Sequence, residues 1–322
     1  MSASARAAAA VLPVGPGVYR FRDARGRALY VGRAVSLRRR VRSYWGDLGD
    51  RPHLTAMVAQ IDRIEAVSCD SEHEAAWLER NLLERQLPRW NRTAGGQEVA
   101  VCIGLDQSAR SPGLSVVHAD GRSRAPHLQY FGPYLGGARV RLAVAGLLRA
   151  CPLDYAGDAP RGASRDFARE RGVAGADRPR LALSLAAVLG RDQAAVDCLR
   201  ERLTQRRTAA AESQAFEVAS RIHAELAAIE WITCPQQAAA LDGTDADVAG
   251  WADGLLVRFE IRDGRLCGWR QYRRSRAQAE PWLARTPRAW QDFAGRSAVL
   301  AARLAQGSGA VYRASTADGR GD

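Results

Sequence analysis

Two short β-rich runs, GVYRF at 17–21 and ALYVG at 28–32, flank RDARGR, a polar link containing glycine. Aromatic and β-branched runs joined in this way predict a β-hairpin. With Ala24 and Arg25 as the loop residues, Tyr19 faces Tyr30 across the ladder. From Ser36 the pattern turns helical, with Leu37 and Val41 four apart. IDRIEAVSCD at 61–70 predicts a third strand. SEHEAAWLERNLLERQL at 71–87 predicts a helix that opens on Ser71 and Glu74 as a capping box and stops before Pro88. Together these elements make residues 14–95 a compact α/β (α+β) unit, and residues 1–13, with SARAAAAVLPV, a disordered tail rather than a signal peptide.

VAVCIGL at 99–105 and LSVVHA at 114–119 are further strand candidates in a middle segment, 96–155. The aromatic turn YFGPY and an amphipathic helix from Arg139 to Leu148 follow them. Gly, Pro and charge in 154–180 predict a linker, with its body at 156–180. The region 181–233 is helical with a break near Glu212, which implies an antiparallel helix pair. In 234–322, DGLLVRFEIRDGRLCGWRQY predicts a second hairpin turning at Asp263 and Gly264, and STADGRGD a frayed end.

The chain of 322 residues has 47 basic residues against 35 acidic ones, a formal charge of +12. None of the basic residues is lysine. Guanidinium groups stay charged and grip phosphates in a two-pronged way, so a polyanion, nucleic acid ahead of membrane, is the expected partner. No run is long enough to span a bilayer, so no membrane association is expected. The six cysteines are far apart with no CxxC pair, which predicts reduced thiols in a cytoplasmic protein and no zinc site.

Between Arg20 and Arg42 stand nine arginines and one acid, Asp23. Such density near a strand end and a helix start predicts a phosphate platform. On a helical wheel with Ala75 at zero, Glu79 falls at about 40°, inside the apolar arc of Leu78, Leu82 and Leu83. A carboxylate there needs neutralising. Two partners are open to it, an arginine or a hard cation such as Mg²⁺. Asn91, just past Pro88, is either a turn residue or an amide aimed at the same spot.

GVY at 17–19, YVG at 30–32, LRRR ending at Arg40, Glu79 and Asn91, in that order, resemble the GIY-YIG nuclease domain in its UvrC-type variant. YFGPY with its helix is similar to the next part of that family. ESQAFEVASRIHAELAAI resembles the UVR motif, and DADVAGWADGLLVRFEIRDGRLCGWRQY the stretch after it. The resemblance implies catalytic residues Tyr19, Tyr30, Arg33, Arg40, Glu79 and Asn91. Tyr30 would be the general base or its relay, Arg40 the group that stabilises phosphorane-like charge, and Glu79 the holder of one Mg²⁺ or Mn²⁺. Arg38, Arg39, Arg42 and Tyr44 would contact DNA. Phe216, Glu217, Ala219, Arg221 and Ile222 would bind UvrB.

Two departures from the family matter. Arg33 stands where the family has lysine, and arginine does not readily pass a proton. Only Cys151 remains where the family carries four cysteines, so no iron–sulfur cluster is expected. The resemblance stops short of the RNase H-like nuclease, an arrangement similar to the single-nuclease Cho form of the family. It implies a Mg²⁺-dependent endonuclease of nucleotide-excision repair, acting with UvrB on damaged double-stranded DNA and cutting 3′ to the lesion. The alternatives are a non-catalytic adaptor binding UvrB or DNA, and a GIY-YIG nuclease of a mobile element.

Overall fold

The computed structural model describes residues 3–46, 54–92, 98–108, 113–119, 125–157, 162–241 and 243–308. The chain divides into two compact units, Met1–Gly96 together with Pro235–Asp322, and Gln97–Cys234. The first unit begins with helix α1 (Ala3–Ala10), strands β1 (Gly17–Arg22) and β2 (Ala28–Ala34), and helix α2 (Leu37–Arg42). Helix α3 (Thr55–Val58), strand β3 (Arg63–Ser68) and helix α4 (Glu72–Arg85) follow. The sheet is antiparallel in the order β2-β1-β3.

The hairpin register differs from the expected one. Tyr19 pairs with Gly32 and Phe21 with Tyr30, and the register shifts between Phe21 and Arg22. The loop is longer than two residues. The Asp23 carboxylate accepts from the backbone N–H groups of Arg25 and Arg27, and Gly26 takes φ of 78°. This Asp-led turn inserts one residue more than the expected tight turn, and the irregularity between Phe21 and Arg22 adds a second. The N-cap of α4 also departs from a full capping box. Ser71 Oγ accepts from Glu74 N as expected, but the Glu74 carboxylate accepts from Asp70 N and Gln237 N instead.

The second unit holds strands β4 (Ala100–Leu105), β5 (Leu114–His118) and β6 (Gln129–Leu135), ordered β5-β4-β6. YFGPY, expected as a turn, lies within β6 and pairs with β4. Helices α5 (Gly137–Ala150), α6 (Ala163–Glu170), α7 (Arg178–Leu189), α8 (Gln193–Glu212) and α9 (Phe216–Thr233) complete the unit. Leu147, Leu185, Leu199, Leu203, Ile222 and Ile229 share its core. The expected linker 156–180 is largely structured. It contains α6 and the start of α7, where buried Arg178 donates to the carbonyls of Leu153 and Asp106. The sequence pattern missed this because one buried arginine, not an apolar stripe, anchors the segment. The break after Glu212 falls as expected, with Gln214 at φ of 60°.

Strands β7 (Ala246–Ala252), β8 (Leu255–Arg262) and β9 (Arg265–Arg273), then helices α10 (Arg276–Leu283) and α11 (Arg288–Ser308), return to the first unit. Two-residue Asp-Gly turns at 253–254 and 263–264 join the strands, and all four residues have positive φ. The second turn was expected. The first carries the same dipeptide signal and was missed. Gly250 lets α11 approach, since a Cβ there would lie 2.0 Å from Ala294 O. Helix α11 also packs on β3 and α1.

The expected disordered tail is thus helical, with Ala5, Ala8, Ala9 and Leu12 buried among Leu37, Met57, Leu300 and Leu304. Small side chains gave no amphipathic signal, yet they allow close helix packing. The boundary expected at 95 does not separate a domain from the C-terminal segment. Asn81 on α4 donates to the carbonyls of Ala238 and Leu266. Of the expected frayed end, STADGRGD lies outside the described residues. No helix among the described residues is long and apolar enough to cross a membrane.

One ion cluster holds the sheet together. Glu65, 3% exposed, lies opposite Arg20 on β1 and accepts from Arg20 Nη2 and Arg22 Nε, each at 2.6 Å. Arg63 Nη2 is 3.1 Å away. Burial alone would raise the carboxyl pKa, but Arg20, Arg22 and Arg63 outweigh it and hold the group at about 2. A depressed folded pKa means the stabilisation is complete above the unfolded value and is lost as pH falls through the folded one. Glu65→Gln is expected to cost about 3 kcal/mol at neutral pH, because it leaves buried guanidinium groups without their counter-charge. The deficit should shrink as pH falls from the ordinary carboxylate range towards about 2. Denaturant unfolding at a series of pH values checks both the size and the sign.

Candidate active site

The phenols come together through strand geometry. Tyr19 and Tyr30 are diagonal neighbours on one face of the β1–β2 ladder, with ring centroids 6.2 Å apart. Gly32 sits directly opposite Tyr19. A Cβ there would lie 2.5 Å from the Tyr19 hydroxyl and 2.8 Å from Tyr30 Cε1. The glycine is therefore required by space, not by backbone conformation. Tyr44, in the 3₁₀ turn after α2, completes the cluster, its hydroxyl 2.7 Å from that of Tyr19.

Burial and the neighbouring phenols push the Tyr19 and Tyr30 hydroxyls well above the usual tyrosine range, and Glu79 adds to the effect on Tyr30. Arg40 opposes both shifts. Of the three, Tyr30 is only partly buried, whereas Tyr19 and Tyr44 are fully enclosed. Tyr44, expected as a DNA contact, is 2% exposed and serves the interior of the site instead.

Helix α2 aims Arg40 at this cluster. Its apolar residues Leu37 and Val41 are buried, so Arg40 lies beside the core while Arg38, Arg39 and Arg42 are exposed. The Arg40 guanidinium is 5.3 Å from the Tyr44 ring centre. Burial would lower its pKa, but the phenols around it raise it. The helix N-terminus is not an open anion site. Leu37 N donates to Gly15 O, Arg38 N to Pro13 O, and Arg39 N to the Ser36 hydroxyl. Any phosphate platform here consists of side chains alone. Arg39, Arg40 and Arg42 also sit in the last turn, where they complement the helix dipole.

Glu79 reaches the site from α4, its side chain 23% exposed. Both partners left open by the sequence bear on it. Its Oε1 accepts from the backbone N–H of Arg33 at 3.1 Å, and its Oε2 lies 3.3 Å from Arg33 Nε. Burial raises the carboxyl pKa, against the pull of Arg33 and Arg40. The Arg33 side chain is 46% exposed, so this ion pair is open to water rather than locked in a core. Among the described residues no group of three His, Cys, Asp or Glu side chains is arranged to hold a metal. A single carboxylate suits Mg²⁺, which keeps waters and takes substrate phosphate oxygens as further ligands. The donor set therefore fits a hard cation, provided the guanidinium of Arg33 yields its place.

Asn91 does not offer its amide to the cluster. Its Oδ1 accepts from Val31 N and its Nδ2 donates to Val31 O, so it acts as a strand partner for β2 beside Tyr30. Trp90 N donates to Leu29 O in the same manner. In the second unit, Phe216, Glu217 and Arg221 are exposed and Ala219 is half-buried, whereas Ile222 is 2% exposed and belongs to the core. Besides Asn91 and Ile222, sequence reasoning misplaced Tyr44, expected at the DNA surface, and did not name Gly32, and both of these shape the tyrosine cluster. Gly32 had a signal, a glycine inside a strand, which marks close approach. For Tyr44 the only signal was its helical distance from Arg40.

Residues 15–92 match a family model described as the UvrC-like GIY-YIG domain. The chain is 32% identical over 278 residues to the UvrABC system protein C of Geobacter metallireducens, covering 81% of this chain and 44% of that protein. It is 31% identical over 281 residues to the one of Syntrophotalea carbinolica, covering 82% and 45%. A Mycobacterium homologue, from strain KMS, is 33% identical over 290 residues, covering 82% and 41%. The chain thus spans less than half the length of these curated relatives. Among solved structures, the GIY-YIG N-terminal endonuclease domain of UvrC from Thermotoga maritima, bound to magnesium, is 31% identical with a TM-score of 0.27, covering 28% of this chain and 99% of that one.

Gly32→Ala is expected to force the Tyr19 and Tyr30 rings apart and to cost about 1–3 kcal/mol. Thermal unfolding and the near-ultraviolet circular dichroism of the tyrosines check this. An unchanged spectrum and midpoint would show that the missing Cβ is not what keeps the phenols close.

Proposed function

From the premise that residues 15–92 are a UvrC-like GIY-YIG domain, in a chain homologous to UvrABC system protein C over 81% of its length, we propose a Mg²⁺-dependent DNA endonuclease of nucleotide-excision repair. It hydrolyses one phosphodiester on the 3′ side of a lesion in duplex DNA, at a site marked by UvrB. The observation that carries this reading is the meeting of Tyr19, Tyr30, Tyr44 and Arg40 on one face of the β1–β2 hairpin, with Glu79 at the edge of β2 near enough to act on Tyr30 and Arg40.

Phosphodiester hydrolysis needs a water that gives up a proton, stabilisation of charge on the phosphate, and protonation of the leaving oxygen. Glu79 is the residue to hold the cation, which when bound supplies Lewis-acid stabilisation of the phosphate. Arg40 lies beside the phenols, where its guanidinium can meet charge gathering on the phosphate oxygens. Tyr30 is the phenol with access to solvent and the candidate to take the water proton. The negative charge of Glu79 helps to keep Tyr30 protonated, so neutralising that carboxylate moves Tyr30 towards a usable base. Tyr44 and Tyr19 form a hydroxyl pair behind it through which a proton can be shared. Asn91 is a positioning residue that holds β2 in place.

Recruitment by UvrB is assigned to the α8–α9 hairpin. Phe216 and Val218 are 67% and 45% exposed at the start of α9, an apolar pair suited to a partner. Ile222 is excluded from that surface by its burial.

One observation favours a second reading, a non-catalytic adaptor for UvrB or DNA. Arg33 engages both oxygens of Glu79, through its backbone N–H and its side chain. An arginine tethered there competes with a metal.

Purified protein with UvrA, UvrB, Mg²⁺ and lesion-bearing duplex is expected to give a nick 3′ to the lesion, and Glu79→Gln to lower its rate at least 10³-fold. An absent nick, or one of equal rate in the variant, removes the proposal. Arg33→Lys separates the two readings in the same assay. A gain above about tenfold in wild-type background supports an adaptor whose site is blocked by the guanidinium, and a change within about threefold supports a working site.

A further inference from the structure

Arg20 and Arg22 alternate with Tyr19 and Phe21 along β1, so they emerge on the sheet face opposite the phenols. On that side, within the same unit, a cleft of about 480 Å³ opens between the β1–β2 hairpin, the end of α4 and strands β8 and β9. Its wall is rich in guanidinium groups, and most are already committed. Arg20 and Arg22 bind Glu65. Arg85 lies 2.7 Å from Glu260, and Arg262 is within 3.9 Å of Asp247 and 3.7 Å of Glu260. Those two are the acids that line the cleft.

Two arginines of the wall remain without an ion pair among the described residues. Arg258 and Arg270 are direct partners in the β8–β9 register. Arg258 stacks over the Trp282 ring at 3.3 Å, and Arg270 acts on Glu260 only at longer range. Like charges placed opposite each other on neighbouring strands destabilise a sheet. The pair is therefore a cost to the fold that an anion between the two groups would relieve. Beyond the cleft the chain continues with Arg273 and Arg274, and with Arg276, which pairs with Glu280 at 3.1 Å. An arginine-rich wall of this kind, next to a face that meets phosphodiesters, suits a polymer of phosphates.

We propose that this cleft is a second, non-catalytic grip on DNA, in which Arg258 and Arg270 hold phosphodiester oxygens of a segment flanking the cleaved bond. The proposal rests on the reading that DNA is the substrate. Because the cleft and the phenols face opposite sides of one sheet, the same phosphate cannot occupy both. The grip lengthens the footprint on the substrate and leaves the chemistry to the other face.

The test measures binding of a labelled duplex to the full chain carrying Glu79→Gln, over a range of KCl, with no cleavage required. Adding Arg270→Glu is expected to weaken binding about tenfold or more and to lower the slope of log K against log salt by about 1. Adding Arg258→Gln with Arg270→Gln should lower the slope by about 2. The thermal midpoint should hold or rise with Arg270→Glu, because a like-charge pair has been removed, and should fall in the double variant, which also loses the Arg258 stack on Trp282. Unchanged affinity and slope overturn the proposal. A fall in midpoint with Arg270→Glu that accompanies the weakened binding assigns that residue a structural role and also overturns it. So does a thermal shift with inorganic phosphate or pyrophosphate that is lost in the variants while the DNA slope stays the same, since the cleft would then serve a free anion. The outcome is separable from the nicking assay: a chain that binds but does not cut fails there alone, and one that cuts with unaltered variants fails here alone.

Discussion

Strand β1 is central in its sheet and carries polar groups on both faces, and both faces are buried. One side presents Tyr19, whose hydroxyl must find a partner, and the other presents Arg20, whose charge must be neutralised. The fold meets the first demand with Tyr44 and the second with Glu65 on β3. An aliphatic strand would need neither. A polar strand placed centrally constrains every element around it, because an unmet hydroxyl or guanidinium in the interior costs more than the burial of its apolar part returns. The position of α2, which delivers both Arg40 and Tyr44, follows from the first demand, and the pairing of β3 with β1 follows from the second.

The same arrangement keeps the candidate site in tension. Three phenols, one guanidinium and one carboxylate share a small volume, and each alters the others. Burial and mutual contact hold the phenol protons on, Arg40 works to release them, and Glu79 resists. Arg33 meets Glu79 with a charge that is half in water. An ion pair so exposed is worth little, so a divalent cation with phosphate ligands can compete for the carboxylate. Glu79 is one of several groups that bear on the Tyr30 proton, after burial and Tyr44.

Much of the local structure was legible in the sequence because it is set by neighbours along the chain. The runs of β1 to β3, the N-cap Ser71, the helix break near Glu212 and the Asp263-Gly264 turn all carry short-range signals. The inward position of Glu79 followed from helix periodicity alone. Errors arose where a long-range partner overrode the local pattern. The hairpin register shifted because Asp23 organised a longer loop. The segment 156–180 folded because buried Arg178 found carbonyl partners from distant residues. Helix α1 formed on a run of alanines because α11 supplied a surface for it. Asn91 was a plausible site amide by its distance in sequence, yet the edge of β2 had a stronger claim on it.

The sequence by itself determined the elements and the chemical inventory: a hairpin with two tyrosines, an arginine-rich short helix, and a helix with one carboxylate on its inner stripe. Periodicity and turn chemistry are properties of adjacent residues, so they survive without a fold. Only the tertiary structure decided which of those groups share a site. It enclosed Tyr44 with Tyr19, tied Glu79 to Arg33, gave Asn91 to the backbone of Val31, and left Arg258 facing Arg270. Those outcomes depend on distances between residues far apart in the chain, which packing and pairing set, and which no local pattern encodes.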